Sequence, residues 1–163
     1  MRPEGNLQSK VVRRVAPQSK ENELRIILPA RENAVRRGLK SIKNGLGPIG
    51  FSSDELASLE LVLAEILNNI VEHAYRGNEA GIIEIQLSQT TAGLWCTVID
   101  TGAMMPNGEP PLGMQCDLNC DVADLPEGGF GWFLIRELAH DLEYTHEEGQ
   151  NRLSFRMSIG RLN

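Results

Sequence analysis

A glutamate, an asparagine and a histidine recur at Glu65, Asn69 and His73. At about 100° per residue they fall along one flank of a helix. A carboxylate and a carboxamide one turn apart can face the same small site. There the glutamate can act as a general base, and the asparagine oxygen can ligate Mg²⁺ alongside phosphate oxygens and waters. An ordinary polar flank has the same spacing, and His73 by itself reads as a packed or helix-capping residue. A second group is Asp100-Thr101-Gly102 at the end of an apolar run, Leu94–Ile99. An aspartate at a strand end can accept a hydrogen bond from an exocyclic amine such as that of adenine. Gly102 would let the backbone approach a flat ring, although Asp-x-Gly is also a routine strand-ending turn. The third is Gly128-Gly129-Phe130-Gly131, followed at once by Trp132-Phe133-Leu134-Ile135. Such glycines let backbone amides meet an anion at a helix start; a flexible loop before a buried helix would look alike.

The elements that must position these groups follow from periodicity and punctuation. Leu24, Ile26 and Leu28 alternate through Glu23–Pro29 and predict a strand stopped by proline. Ala30–Asn44 predicts a basic helix closed at Gly45 and Gly47. Ser52 or Ser53 caps the strongest helix, with Asp54 and Glu55 in its first turn. Leu56, Leu59, Leu63, Ile66 and Ile70 carry that helix to about Tyr75, before Gly77-Asn78. Strands are predicted over 81–89 and 94–100. An irregular stretch, 101–127, leads to an apolar helix over 130–142. Strands over 142–146 and 153–159 follow, turned by Glu148-Gly149-Gln150-Asn151. This order predicts an α/β two-layer sandwich with a mixed, mainly antiparallel sheet and helices packed on one face. Residues 1–20 are polar and aperiodic and read as a disordered tail before a single domain, 21–163.

The chain has 163 residues and a net charge of −6, unevenly spread. Residues 1–50 carry 11 basic and 4 acidic side chains, whereas residues 51–163 carry 5 basic and 18 acidic ones. No lysine follows Lys43, and no Lys or Arg lies between Arg76 and Arg136. A P-loop, whose lysine follows its glycines, is excluded. The eukaryotic-type kinase motif set is absent as well. An acidic two-thirds argues against a nucleic-acid groove, and the scattered basic residues of the N-terminal third read as a solvated tail. No long uncharged apolar run predicts a membrane span, and the first 20 residues lack the apolar segment of a secretory signal. Three cysteines, Cys96, Cys116 and Cys120, are too few for a disulfide framework and fit a reducing cytoplasm.

In this order, the three groups resemble the GHKL (Bergerat) ATP-binding fold of gyrase, histidine kinases and the bacterial anti-sigma-factor serine kinases. The stretches from Ala64 to Tyr75 and from Gly128 to Arg136, and Gly149-Gln150-Asn151-Arg152-Leu153, are most similar to the anti-sigma kinases. The resemblance covers about residues 21–160. It implies that ATP lies on the sheet between the long helix and a lid at 103–127, and that Asn69 binds Mg²⁺. It further implies that Glu65 activates a serine or threonine hydroxyl of a protein substrate. Asp100 would read adenine, and Gly102, Gly129 and Gly131 would shape the nucleotide pocket. The implied partners are a sigma factor and a small anti-anti-sigma (STAS-type) protein, with homodimers common in the family. Ala103-Met104-Met105 depart from the family's usual continuation of the Asp-x-Gly box. The lid's Glu109, Asp117, Asp121, Asp124 and Glu127 bring no cation, which leaves Arg76 as a candidate beside its role at a helix end.

Three other readings use the same residues. Val98-Ile99-Asp100-Thr101-Gly102-Ala103 resembles a retroviral-type aspartic protease signature, with Ile159-Gly160-Arg161 as its second motif, but the 53–75 helix breaks that nearly all-β fold. The acidic lid suits a GHKL-fold module that sequesters a protein without catalysis. Cys116-x-x-x-Cys120 is half of a zinc site at most, and lid thiols in a reducing compartment are the favoured reading. Met104, Met105 and Met114 suit a cover over the base or lid packing.

Overall fold

A computed structural model describes residues 22–113 and 129–162. The tail 1–20, Cys116, Cys120, Met114, Gly128 and the lid carboxylates from Asp117 to Glu127 lie outside the described residues. Strand β1 spans Glu23–Pro29, helix α1 Glu32–Leu46, helix α2 Ser53–Asn69, β2 Ile82–Thr90 and β3 Gly93–Asp100. Helix α3 spans Gly129–Leu138, β4 Ala139–Glu147 and β5 Gln150–Met157. The strands form one sheet in the order β1-β2-β3-β5-β4. Every neighbouring pair is antiparallel, so the expected mainly antiparallel sheet contains no parallel pairing. The reason is topological: two helices separate β1 from β2, and β5 folds back between β3 and β4, which run in the same direction.

The core forms where the sheet's inner face meets the helices. Alternation leaves Ile83, Ile85 and Leu87 of β2, Leu94, Cys96 and Val98 of β3, and Leu153, Phe155 and Met157 of β5 buried on that face. From the helices come Val35, Leu39 and Ile42 of α1 and Leu59, Leu63 and Ile66 of α2, with Trp132 and Ile135 of α3. Each fully buried Leu or Ile contributes about 1.5–3 kcal/mol of apolar transfer. Helix α1 approaches β1 closely at Gly38, where a Cβ would lie 2.6 Å from Leu28 Cδ2. Cys96 is fully enclosed, and burial pushes its thiol pKa up, so it is an inert core residue. No described helix is long and apolar enough to cross a membrane.

Three boundaries moved for physical reasons that bear on the site. Ser52 caps α2 in a reciprocal box with Glu55, and Glu55 also accepts the Gly160 N–H at 3.0 Å. The far end of α2 does not continue as an α-helix to Tyr75. It widens at Ile70–Ala74 into a π-turn, in which the Tyr75 N–H reaches the Ile70 carbonyl at 3.0 Å. The helix predicted over 130–142 ends at Leu138, because Ala139 pairs with Met157 and begins β4. In the last hairpin, Glu148 (φ 52°) and Gly149 (φ 76°) form the turn by themselves. Gln150 and Asn151 therefore belong to β5, not to the turn.

Candidate functional site

That last shift places Asn151 directly opposite Asp100 in the β3–β5 ladder. Both are polar residues in a core position, 6% exposed for Asp100 and 2% for Asn151. A buried carboxylate must be satisfied or neutralised. Here Oδ1 of Asp100 accepts the Gly102 N–H at 2.9 Å and the Asn151 Nδ2 at 2.8 Å. Burial raises the Asp100 pKa above the usual carboxylate range, while the Asn151 and Gly102 donors oppose that rise. Oδ2 has no hydrogen-bond partner among the described residues, which leaves an acceptor for a donor from outside the protein.

Asp100 and Asn151 line a cavity of about 470 Å³, within the size range of small-molecule sites (about 300–1,000 Å³). Its apolar wall includes Ile70, Met105 and Trp132, and its rim carries Glu72, His73 and Arg76. The π-turn is why so many consecutive residues reach this rim: it opens the end of α2 just after Asn69. Asn69 lines the cavity too, and its Nδ2 is buried without a partner. An unsatisfied buried amide costs about 1–3 kcal/mol, so this donor is open to an acceptor from outside the protein. Among the described residues lining the cavity, Arg76 is the only Lys or Arg. It is exposed, forms no ion pair with a described residue and holds a left-handed φ of 49°.

The other expected site residues stand beside this cavity. Glu65 lies one turn earlier on α2, against the first turn of α3. A Cβ on Gly131 would run into Glu65 Oε2 and lie 3.2 Å from its Cδ, so the absence of a side chain at 131 makes room for the carboxylate. Glu65 thus sits near the positive end of α3, as an acidic group there should. Gly129 is the first residue of that helix. Gly102 allows a close approach, but to the protein itself: a Cβ there would lie 2.7 Å from the Ala74 backbone, and Ala103 N–H bonds the Ala74 carbonyl at 2.8 Å. His73 is neither packed nor capping; its side chain is 71% exposed, 3.8 Å from Glu72.

Tyr144 lines the cavity and Tyr75, His146 and Arg136 make hydrogen bonds beside it, and the sequence assigned none of these four a role in the site. Tyr75 closes the π-turn by donating to the Ile82 carbonyl at 2.7 Å and accepting the Thr101 N–H at 2.9 Å. Tyr144 and His146 both bond Asn151 Oδ1, at 2.8 and 2.6 Å. Arg136, on α3, donates to the carbonyls of Pro110 and Pro111 at 3.0 and 2.8 Å and ties that segment to the helix. Tyr144 stands six residues past the end of α3, and no local spacing links it to Asn151; their pairing exists only once β4 and β5 are in register.

This geometry has counterparts. A family model described as the histidine kinase-like ATPase domain matches residues 28–157. The serine-protein kinase RsbW of Bacillus cereus (strain ATCC 10987 / NRS 248) is 33% identical over 107 residues, which cover 64% of this chain and 66% of that protein. RsbW of Bacillus thuringiensis (strain Al Hakam) is 32% identical over the same shares. The chain therefore matches these curated relatives over just under two thirds of their length. The crystal structure of the RsbU and RsbW domains of Rv1364c from Mycobacterium tuberculosis shares the fold, with a TM-score of 0.57 at 18% identity over 86% of this chain and 33% of that one. The aspartic protease reading fails against this helix-covered open sheet.

Proposed function

Because the chain belongs to the histidine kinase-like ATPase domain family, we propose that it is an ATP-dependent serine/threonine-protein kinase and anti-sigma factor. On this reading it phosphorylates an anti-anti-sigma protein of the STAS type, and it holds or releases a sigma factor in a cytoplasmic partner switch. A second copy of the chain completes the set of partners. The observation that carries the proposal is the cavity in which the free oxygen of buried Asp100 and the unpartnered amide of Asn69 occur together. Asp100 suits the exocyclic amine of adenine, and Ile70, Met105 and Trp132 suit its faces. Asn69 suits the phosphate end, with Arg76 as the available cation.

Mg²⁺ fits this donor set. The described residues hold no cluster of three or more His, Cys, Asp or Glu, so an ion here would take Asn69 as its protein ligand beside phosphate oxygens and waters. When bound, it would neutralise phosphate charge in a pocket with little cationic help. Glu65, near the start of α3, is the candidate base for the substrate hydroxyl. Its position outside the cavity wall also suits a second reading, a nucleotide-gated binding module without transfer.

Calorimetry of Mg·ATP binding to the natural protein and to Asn69→Ala tests the first step. Affinity should fall at least about 10-fold in the variant. The variant's nucleotide-free Tm should hold or rise, because an unsatisfied amide is removed. Failure of the natural protein to bind ATP would sink the proposal. Transfer of labelled phosphate to the anti-anti-sigma protein, lost in Glu65→Ala, separates the kinase from the binding module.

A further inference from the structure

Tyr144 stands between the start of the lid and the buried polar pair. Its hydroxyl oxygen is 3.0 Å from Met105 N and 2.8 Å from Asn151 Oδ1. The sense of each bond is forced. The backbone N–H of Met105 can only donate. Asn151 commits its Nδ2 to Asp100 Oδ1, at 2.8 Å, and to the Gly102 carbonyl, at 3.0 Å. Its Oδ1 can therefore only accept, from Tyr144 and from His146 Nδ1. One directed chain results: lid N–H to Tyr144, Tyr144 O–H to Asn151, Asn151 NH₂ to Asp100. Bonds in such a chain polarise one another in a low-dielectric setting. Met105, Tyr144, Asn151 and Asp100 all line the same cavity. Tyr144 also packs its ring against the core, which fixes where its hydroxyl sits.

We infer that Tyr144 is a positioning residue that couples the seating of the lid at Met105 to the orientation of the base-reading carboxylate of Asp100. The inference rests on the nucleotide reading of the cavity. A base bound at Asp100 stabilises the lid start through Tyr144, and a seated lid holds Asp100 in the orientation that accepts an amine. The coupling is reciprocal, as any such linkage must be. It also bears on base choice. Guanine presents a carbonyl oxygen where adenine presents its amine, and a carboxylate held rigidly repels it; a carboxylate free to rotate discriminates less.

Tyr144→Phe keeps the ring and removes both hydroxyl bonds. The experiment measures ATP and GTP affinity by calorimetry and amide hydrogen exchange of residues 103–108, for the full chain and the variant. In Tyr144→Phe the ATP Kd should rise about 5- to 30-fold, the loss of one or two hydrogen bonds. The ATP-over-GTP preference should narrow, and the lid start should exchange faster in the nucleotide-free protein. A variant that binds ATP like the natural protein overturns the inference. So does one that binds more weakly with an unchanged ATP-over-GTP ratio, since that is what a merely structural residue gives. If the natural protein binds no ATP, the nucleotide reading and this inference fall together.

Should Tyr144→Phe not fold, the same chain can be cut at its other end. Met105 has a φ of −58°, which proline adopts, so Met105→Pro removes the N–H with little change of backbone. Met105→Ala, which keeps the N–H, is its control. Met105→Pro should bind ATP more weakly than Met105→Ala with the same narrowed preference. Equal affinities would refute the coupling.

Discussion

Gly131→Ala separates structure from chemistry at the α2–α3 contact. The added Cβ would overlap Glu65 Oε2, with Cδ at 3.2 Å and Cγ at 3.7 Å. What it meets is the far end of a flexible side chain that makes no hydrogen bond with a described residue. The carboxylate can therefore swing aside, at an off-rotamer cost of about 0.5–1.5 kcal/mol. Against this stands the helix preference for Ala over Gly, about 0.5–1 kcal/mol. The two nearly cancel, so stability should change by less than about 1 kcal/mol, and for a domain of this size Tm should move by no more than about 2–4 °C. Because Glu65 does not line the cavity, Mg·ATP affinity should be retained. Phosphoryl transfer should suffer, since displacing a base by about 1 Å can cost about 100-fold in rate. The assay is single-turnover transfer of labelled phosphate to the protein substrate at saturating ATP, with calorimetry and a thermal melt on the same preparations. A variant that transfers at the natural rate would refute the role of Glu65 placement. A Tm drop beyond about 10 °C would refute the rotation argument, and a loss of ATP affinity would return Gly131 to the nucleotide pocket proper.

Asp100→Asn should leave the nucleotide-free protein as stable or more stable at neutral pH, because it removes a carboxylate whose burial is unfavourable while keeping an acceptor for Asn151 and Gly102. A raised pKa makes the ionised form a liability, so the variant's advantage in thermal melts should shrink as pH falls and Asp100 protonates. Its ATP Kd should rise at least about 10-fold, because an amide NH₂ would meet the amine of adenine. Glu55 behaves in the opposite sense. The Ser52 N–H, then the Gly160 N–H, hold its carboxyl below the ordinary value of 4.5. Its contribution is complete above that value and disappears as pH falls through the lower folded-state value. The Tm gap between the natural protein and Glu55→Gln should therefore be widest near neutral pH and close under strongly acidic conditions; a gap that widened with acid would contradict the capping geometry.

Several parts of the site could be read from local chemistry. Glu23–Pro29 is the observed β1, residue for residue, because alternation and a terminal proline are both local signals. Ser52 and Glu55 announce the start of α2 through their spacing alone. The end of α2 was less legible. Apolar spacing runs on through Ile70 toward Tyr75, and nothing in it distinguishes an α-turn from the π-turn that opens the cavity rim. The apolar stretch after Trp132 is equally ambiguous. Helical periodicity continues past Leu138, but pairing of Ala139 with Met157 wins, and that choice involves residues far apart in the chain.

The charge pattern shows the same division. The empty interval from Arg76 to Arg136 is a property of the sequence, and it poses the question of which cation serves the pocket. The fold places the two ends of that interval differently: Arg76 lines the cavity, and Arg136 holds the carbonyls of Pro110 and Pro111. By itself the sequence determined which side chains could do chemistry, in what order, and on which strands and helices, because propensity, capping and periodicity act over a few residues. Only the tertiary structure decided that Asn151 faces Asp100, that Gly102 serves the end of α2 and that Tyr144 reaches Met105. Those contacts depend on strand register, and register is set by which faces the whole sheet buries.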